Sequence, residues 1–255
     1  MNSKKIAGRS VRLFLIWLLI VSISSCKSQY TLQQIEANSI SVNEHVAEDS
    51  RINELIQPYK DSLSLTMNQV IGHSAIEMSK DFPEGLLGNF VTDLMFEMTT
   101  NQLHKQVDFA FTNNGGLRTI LPKGDISLSK IYELMPFENE IIVLEMDYET
   151  LTKLFDYIAL GGELAVSGLM LTIKNDTIFE ATIGGKEIDK QKIYKVATID
   201  YLANGGSGMS FLEDISYRDL VGVRLRDMII DFIKLEQVAG NELSAELQGR
   251  IRIDE

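Results

Sequence analysis

Apolar residues in this 255-residue chain switch repeatedly between the spacing of a strand and the spacing of a helix. In residues 86–103, Phe90 and Leu94 belong to a series at helical spacing, which predicts an amphipathic helix. The β-branched run in residues 140–148 predicts a strand, and residues 149–160 return to helical spacing. Because strands and helices mix without a strict βαβ rhythm, we expect an α+β fold of mixed β-sheets with flanking helices.

The same patterns assign most of the remaining chain. Further strands are predicted at residues 64–78, 107–113, 169–175, 179–185, 192–203 and 249–253, the last as an edge strand. Further helices are predicted at residues 127–137 and 219–236. A polar arm over residues 26–57 is expected to precede the packed structure, so that residues 58–255 form a single domain.

The N-terminus predicts export. Basic residues precede the apolar run of residues 13–23, which is too short for a comfortable bilayer span. Small residues and then Cys26 follow, an arrangement that resembles a bacterial lipobox, in which the cysteine is lipidated. We expect residues 1–25 to be a signal peptide and the mature chain to be an exported lipoprotein, anchored by its lipid and facing the periplasm or the cell surface. An uncleaved membrane anchor is the alternative.

Acidic residues outnumber basic ones by 36 to 24, which gives a net charge of −12. Removal of residues 1–25 takes away four of the 24 basic residues and no acidic one, and the net charge becomes −16. A nucleic-acid surface needs an excess of Lys and Arg, so no nucleic-acid partner is expected. A small phosphate ligand is compatible with this charge, because local arginines can hold one within an acidic field.

Motifs for hydrolysis are missing from the sequence. The histidines, His45, His73 and His104, stand far apart, and no DxH or HxH cluster is present to hold a pair of metal ions. The GxSxG elbow, the P-loop and the Rossmann glycine triplet are also absent. The single cysteine, Cys26, is the predicted lipidation site, which leaves none for thiol catalysis or a disulfide. We therefore expect no catalytic residue, no metal ligand and no cofactor in this chain.

Two glycine pairs stand directly after predicted strands, one in TNNGGLR (residues 112–118) and one in LANGGSG (residues 202–208). Glycine permits a positive φ and lets a ligand approach backbone N–H groups. In the first loop Asn113 offers a donor and an acceptor, and Arg118 offers a planar fork suited to phosphate or carboxylate. The structural alternatives are a tight turn with an exposed arginine in the first case and a flexible loop in the second.

Taken with these loops, most of the chain resembles the C-terminal domain of 5′-nucleotidases. Five motifs occur in the order of that family: LLGNFVTDLM (86–95), FTNNGGLRTILPKGDISLSKIYELMPFEN (111–139), VSG (166–168), YLANGGSG (201–208) and GRI (249–251). In that family this domain binds the nucleoside part of the substrate, and a separate N-terminal domain holds two metal ions and performs the hydrolysis. The resemblance implies a single 5′-nucleotidase C-terminal-like domain with a nucleoside or nucleotide as its ligand.

The resemblance also implies a set of substrate-binding residues. Asn113 and Arg118 would contact the ribose or the phosphate, Phe137 would stack on the base beside Asn139, and Asp214 would hold ribose hydroxyls. The full predicted set is Asn113, Gly115, Gly116, Arg118, Phe137, Asn139, Gly168, Met209 and Asp214.

The chain departs from the family pattern near both ends of the predicted site. Met209 stands where the family has a second stacking aromatic, and Ser207 stands where it has an aspartate. The arginine that usually precedes LGN is absent, since Pro83 and Glu84 occupy that region. Methionine packs on a ring face less strongly than an aromatic does.

Three functional hypotheses follow from the sequence. The first is the substrate-recognition domain of a 5′-nucleotidase-type phosphohydrolase, with a separate metallophosphatase chain supplying two divalent metals. The second is a non-enzymatic nucleoside- or nucleotide-binding lipoprotein. The third is a degenerate domain that serves as an interaction scaffold, which Met209 and the missing arginine favour.

Overall fold

The structure, a computed structural model, describes residue 39, residues 48–102, residue 104 and residues 106–254. The predicted signal peptide and Cys26 lie outside these residues, as does most of the predicted arm. Contacts divide the chain into the units Met1–Ile52 and Asn53–Glu255, and the second unit holds the sheets and the site described below. No helix in the described part of the chain is long and apolar enough to cross a membrane.

The described residues form six α-helices and eleven strands. The helices are α1 (Ser50–Met67), α2 (Leu86–Glu97), α3 (Leu128–Leu134), α4 (Tyr148–Ala159), α5 (Asp200–Ala203) and α6 (Leu225–Ala239). The strands are β1 (Val70–Ser74), β2 (Phe109–Asn113), β3 (Gly124–Ser127), β4 (Glu140–Met146), β5 (Leu164–Ser167), β6 (Leu169–Lys174), β7 (Thr177–Ile183), β8 (Lys186–Glu187), β9 (Tyr194–Ile199), β10 (Arg218–Arg224) and β11 (Ile251–Asp254). This mixture confirms the predicted α+β class.

A five-stranded mixed sheet in the order β10-β4-β9-β2-β5 forms the centre of the domain. Within it β2 and β9 run parallel, and the other neighbouring strands pair antiparallel. Both parallel strands are rich in buried apolar residues, as expected for strands covered on both faces. Parallel neighbours end at the same edge of a sheet, so the two glycine loops, which follow β2 and β9, emerge side by side.

Two smaller sheets complete the domain. Strands β1 and β3 pair antiparallel, and a four-stranded sheet has the order β11-β6-β7-β8. The predicted edge strand near the C-terminus is confirmed, because β11 lies at the edge of this sheet and pairs with β6 alone. The turn between β6 and β7 falls at Asn175 and Asp176, which both adopt positive φ, a conformation that Asn and Asp tolerate best among non-glycine residues.

Three predicted segments were wrong. The strand predicted over residues 64–78 is reduced to β1, because its first residues continue α1. The strand predicted over residues 192–203 ends at Ile199, and α5 follows. The helix predicted over residues 219–236 begins only at Leu225, since the residues before it pair with β4 as β10. In each case the apolar spacing was compatible with both periods, and for residues 218–224 the pairing with β4 decided in favour of a strand.

The carboxylate of Glu84 joins the start of α2 to the C-terminal segment. It accepts hydrogen bonds from Asn89 Nδ2 at 2.6 Å and from the backbone N–H groups of Gln248, Gly249 and Arg250 at 2.9, 2.8 and 3.1 Å. Partial burial acts to raise the pKa of Glu84, but these four donors together outweigh it and hold the pKa below its usual value.

A lowered pKa makes the contribution of Glu84 to stability depend on pH. That contribution is fully present above the ordinary pKa of 4.5 and is lost as the pH falls through the lower folded-state value. We expect the thermal stability of Glu84→Gln to fall less steeply on acidification from pH about 6 to about 3 than that of the unmodified protein. The matched control is Glu149→Gln, which removes a carboxylate from the exposed pair with Lys153. Parallel pH curves for Glu84→Gln and the unmodified protein would contradict this assignment.

Candidate functional site

A cavity of about 380 Å³ opens at the edge of the central sheet where β2 and β9 end. We call it the glycine-loop pocket, and its lining residues are Asn113, Gly115, Gly116, Arg118, Phe137, Asn139, Tyr201 and Ser207. Its volume falls in the range of about 300–1,000 Å³ that is typical of small-molecule sites.

The first glycine loop is anchored by its buried residues and exposes its arginine. Asn114 is 5% exposed and its backbone N–H donates to Glu163 O, while Leu117 is fully buried. The backbone N–H of Arg118 donates to Leu134 O at 2.9 Å, which ties the loop to the end of α3. Gly115 and the Arg118 side chain are left exposed at the pocket. A short 3-10 turn spans Asn114–Gly116. The Arg118 side chain therefore extends into the pocket from a backbone that hydrogen bonds hold in place.

Asn113 connects the two glycine loops. Its Nδ2 donates to Ser207 Oγ at 3.4 Å, and its buried Oδ1 has no partner among the described residues. A Cβ added at Gly116 would lie 3.2 Å from that Oδ1, so glycine leaves room for the amide to fold over the loop. The unpaired amide oxygen retains its capacity to accept a hydrogen bond.

Phe137 and Asn139 lie on the segment between α3 and β4, and the first two residues of α6 donate hydrogen bonds to this segment. Arg226, 4% exposed, donates from Nη1 to Phe137 O at 3.4 Å and from Nη2 to Glu138 Oε1 at 2.5 Å. The backbone N–H of Leu225 donates to Asn139 O at 2.9 Å. Phe137 is 41% exposed. Its backbone is therefore held by hydrogen bonds while part of the residue remains open to solvent.

The second glycine loop is folded against two tyrosines. The backbone N–H of Ser207 donates to Tyr201 Oη at 3.2 Å, and Tyr157 Oη donates to Ser207 O at 2.9 Å. A Cβ at Gly206 would lie within 2.6 Å of Tyr201 atoms, so this approach requires glycine. Burial raises the pKa of Tyr157, with Tyr201 and Glu163 acting in the same direction, and this keeps its hydroxyl protonated as a donor.

Arg118 carries the charge of the pocket. It is the one ionised side chain among the eight lining residues, in a chain whose net charge is −12. Its Nη1 donates to Gly115 O at 3.2 Å, and no carboxylate among the described residues pairs with it. A guanidinium without a carboxylate partner retains donors for an anionic ligand.

Six of the nine residues predicted from the sequence line this pocket, and three do not. Met209 is fully buried in the core, because the chain turns inward after Gly208. Asp214 lines a separate cavity of about 380 Å³ beside Asp147. Gly168 forms the turn between β5 and β6, where its φ of +80° brings it close to the backbone of Phe109. The ligand contacts predicted for these three residues remain predictions.

Sequence reasoning missed Tyr201 and Ser207 as lining residues. Tyr201 is 47% exposed and contributes an aromatic side chain to the pocket, whereas Met209 contributes none. The available signal was its position at the start of YLANGGSG, directly after an apolar strand.

Among the residues that the structure describes, no group of three or more His, Cys, Asp and Glu side chains is arranged to hold a metal ion. His73 lies 3.1 Å from Asp125 Oδ1 and 3.6 Å from Glu242 Oε1, away from the glycine-loop pocket. The described residues do not fit the two-metal centre that phosphoester hydrolysis in the resembled family implies.

The fold and the pocket together define an α+β domain with a small-molecule-sized cavity. The family model "5′-nucleotidase, C-terminal domain" matches residues 66–214, and the chain belongs to this family.

Comparisons with individual proteins support this family assignment. The chain is 25% identical over 234 residues to the trifunctional nucleotide phosphoesterase protein YfkN of Bacillus subtilis, covering 84% of this chain and 16% of that protein. It is 22% identical to the 5′-nucleotidase of Vibrio cholerae, covering 70% of this chain and 33% of that protein. Among solved structures, a 5′-nucleotidase precursor from Thermus thermophilus matches with a TM-score of 0.69 and 26% identity, covering 81% of this chain and 43% of that chain. The chain thus spans less than half the length of these relatives.

Proposed function

We propose that the glycine-loop pocket binds a nucleotide and that this chain is the substrate-recognition part of a 5′-nucleotidase-type phosphohydrolase. The observation that carries the proposal is the convergence of Arg118, Phe137, Asn139 and Tyr201 on one cavity. The two aromatic side chains offer ring faces for a base, and base stacking is worth about 1–3 kcal/mol per base. The amides of Asn139 and Asn113 offer donors and acceptors for the edges of the base and the sugar.

The charge of the pocket favours a nucleotide over a nucleoside. Arg118 is the one ionised lining residue, and a phosphate oxygen is the ligand atom that matches an unpaired guanidinium. Ser207 stands where the resembled family has an aspartate, so this position adds no negative charge that would repel a phosphate.

Hydrolysis would need a two-metal centre supplied from outside the described residues, because these do not fit one. We propose that a metallophosphatase chain or domain provides the metal ions and the attacking water. The role of this chain is then to hold and orient the nucleotide, which lowers the barrier through positioning. Export and lipidation at Cys26 belong to the same proposal, since they would place the chain where extracellular nucleotides occur.

The proposal is tested by calorimetric titration of the chain with AMP, adenosine and ribose 5-phosphate. We expect AMP to bind about tenfold or more tightly than adenosine, because adenosine lacks the group that pairs with Arg118. A nucleotidase assay with Mn²⁺ or Zn²⁺ then compares the chain alone with the chain mixed with a metallophosphatase. Strong hydrolysis by the pure chain would contradict the split arrangement. Absence of binding by all three compounds at millimolar concentration would favour the scaffold hypothesis instead.

A further inference from the structure

The two aromatic side chains of the glycine-loop pocket come from segments that no strand pairing holds together. Phe137 precedes β4, and Tyr201 follows β9. These strands pair antiparallel, and the register of their backbone ladder ends at Ile141 opposite Ile199. The relative position of the rings therefore depends on contacts beyond the end of the sheet.

The carboxylate of Asp200 makes such a contact. Its Oδ1 accepts the backbone N–H of Glu140 at 3.2 Å and the backbone N–H of Tyr201 at 2.7 Å. One oxygen atom thus links the backbone next to Asn139 with the backbone of Tyr201. The carboxylate does not line the pocket, so it is not placed to touch a ligand.

We propose that Asp200 is a positioning residue that sets the separation of Phe137 and Tyr201 for the ligand between them. On the Phe137 side, Arg226 and Leu225 hold the carbonyl groups of Phe137 and Asn139. On the other side, the Tyr201 hydroxyl is held by the backbone N–H of Ser207. The Asp200 side chain hydrogen-bonds to both segments, so its loss removes this link beyond the end of the β4–β9 ladder. This inference rests on the proposed nucleotide-binding function.

Two substitutions separate the hydrogen bonds of Asp200 from its charge. Asp200→Asn removes the charge and keeps an Oδ1 acceptor, whereas Asp200→Ala removes the charge and both hydrogen bonds. We expect Asp200→Ala to bind AMP about tenfold more weakly than the unmodified chain and Asp200→Asn to bind it nearly as well. Amide hydrogen exchange of Glu140 and Tyr201 in the free protein should become faster in Asp200→Ala and not in Asp200→Asn.

A double-mutant cycle distinguishes positioning from general loss of stability. When Tyr201→Ala has already removed one ring, adding Asp200→Ala should cost much less AMP affinity than it costs alone. Equal AMP affinity of Asp200→Ala and the unmodified chain overturns the inference, as do equal losses in the Ala and Asn variants or full additivity in the cycle. Failure of the unmodified chain to bind AMP is a different outcome, because it overturns the proposed function and this inference with it.

Discussion

Arg118→Ala is expected to weaken AMP binding by about 10–100-fold, since a hydrogen bond to a charged group is worth about 1.5–3 kcal/mol. The side chain is exposed at the pocket and donates a hydrogen bond to Gly115 O, and no described carboxylate forms an ion pair with it. The same substitution should leave adenosine binding and the melting temperature nearly unchanged, because Arg118 supports no core packing. Calorimetry with both ligands and a thermal melt measure these quantities.

The control for this prediction is Lys123→Ala. Lys123 is also exposed and carries the same charge, but it does not line the glycine-loop pocket. Each substitution makes the net charge of the chain more negative by one. A long-range charge effect would therefore weaken AMP binding equally in the two variants. A comparable loss in both variants would show that Arg118 is not a local anion contact. Arg118→Lys should recover part of the affinity, since lysine keeps the charge but not the planar fork.

Arg250→Ala should produce the largest loss of stability that we predict, a fall of about 3 kcal/mol in the free energy of unfolding. Arg250 is 5% exposed, and its guanidinium donates to Val166 O at 2.8 Å and to Asp93 Oδ2 at 2.7 Å. Its removal leaves a buried carbonyl unpaired and opens a cavity between α2, β5 and the C-terminal segment. Urea unfolding followed by circular dichroism measures the change.

An exposed ion pair provides the comparison for Arg250. Lys174 lies 3.5 Å from Asp254 Oδ2, and both side chains are more than one third exposed. Lys174→Ala should therefore cost about 0–1 kcal/mol. If Arg250→Ala and Lys174→Ala lowered the free energy of unfolding by the same amount, the buried network at Arg250 would not have the structural role assigned to it.

The residues predicted from the first glycine loop line the pocket, whereas Met209, predicted from the second loop, does not. Asn113, Arg118 and Phe137 could be identified in the sequence because of their positions in the motif. Asn113 and Arg118 stand at and after the end of a predicted buried strand, and Phe137 stands at the end of a predicted helix. The sequence did not show that Met209 is buried, since a position after a glycine run does not reveal which side of the chain it faces. Positive φ at Gly205, Ser207 and Gly208 turns the chain after Tyr201, and Met209 enters the core whereas Tyr201 lines the pocket.

Glycine at position 88 shows the same limit of local reasoning. The motif LGN could be recognised in the sequence, but the need for glycine within a helix could not be derived from it. In the structure a Cβ on Gly88 would lie 2.7 Å from Ala165 Cβ and 3.3 Å from Asn114 Oδ1. The glycine therefore allows α2 to approach β5 and the first glycine loop closely, which is a requirement of packing rather than of helix formation.

The sequence by itself determined the α+β class, the position of most strands, the two glycine loops and the acidic character of the chain, because periodicity and composition are local properties. Tertiary structure decided that β2 and β9 lie parallel and adjacent, which brings Arg118 and Tyr201 to one pocket although 83 positions separate them. It also decided that residues 219–224 form a strand and that Met209 is buried. The placement of the strands depends on which strands pair and in which direction, and pairing is set by contacts between residues far apart in the chain.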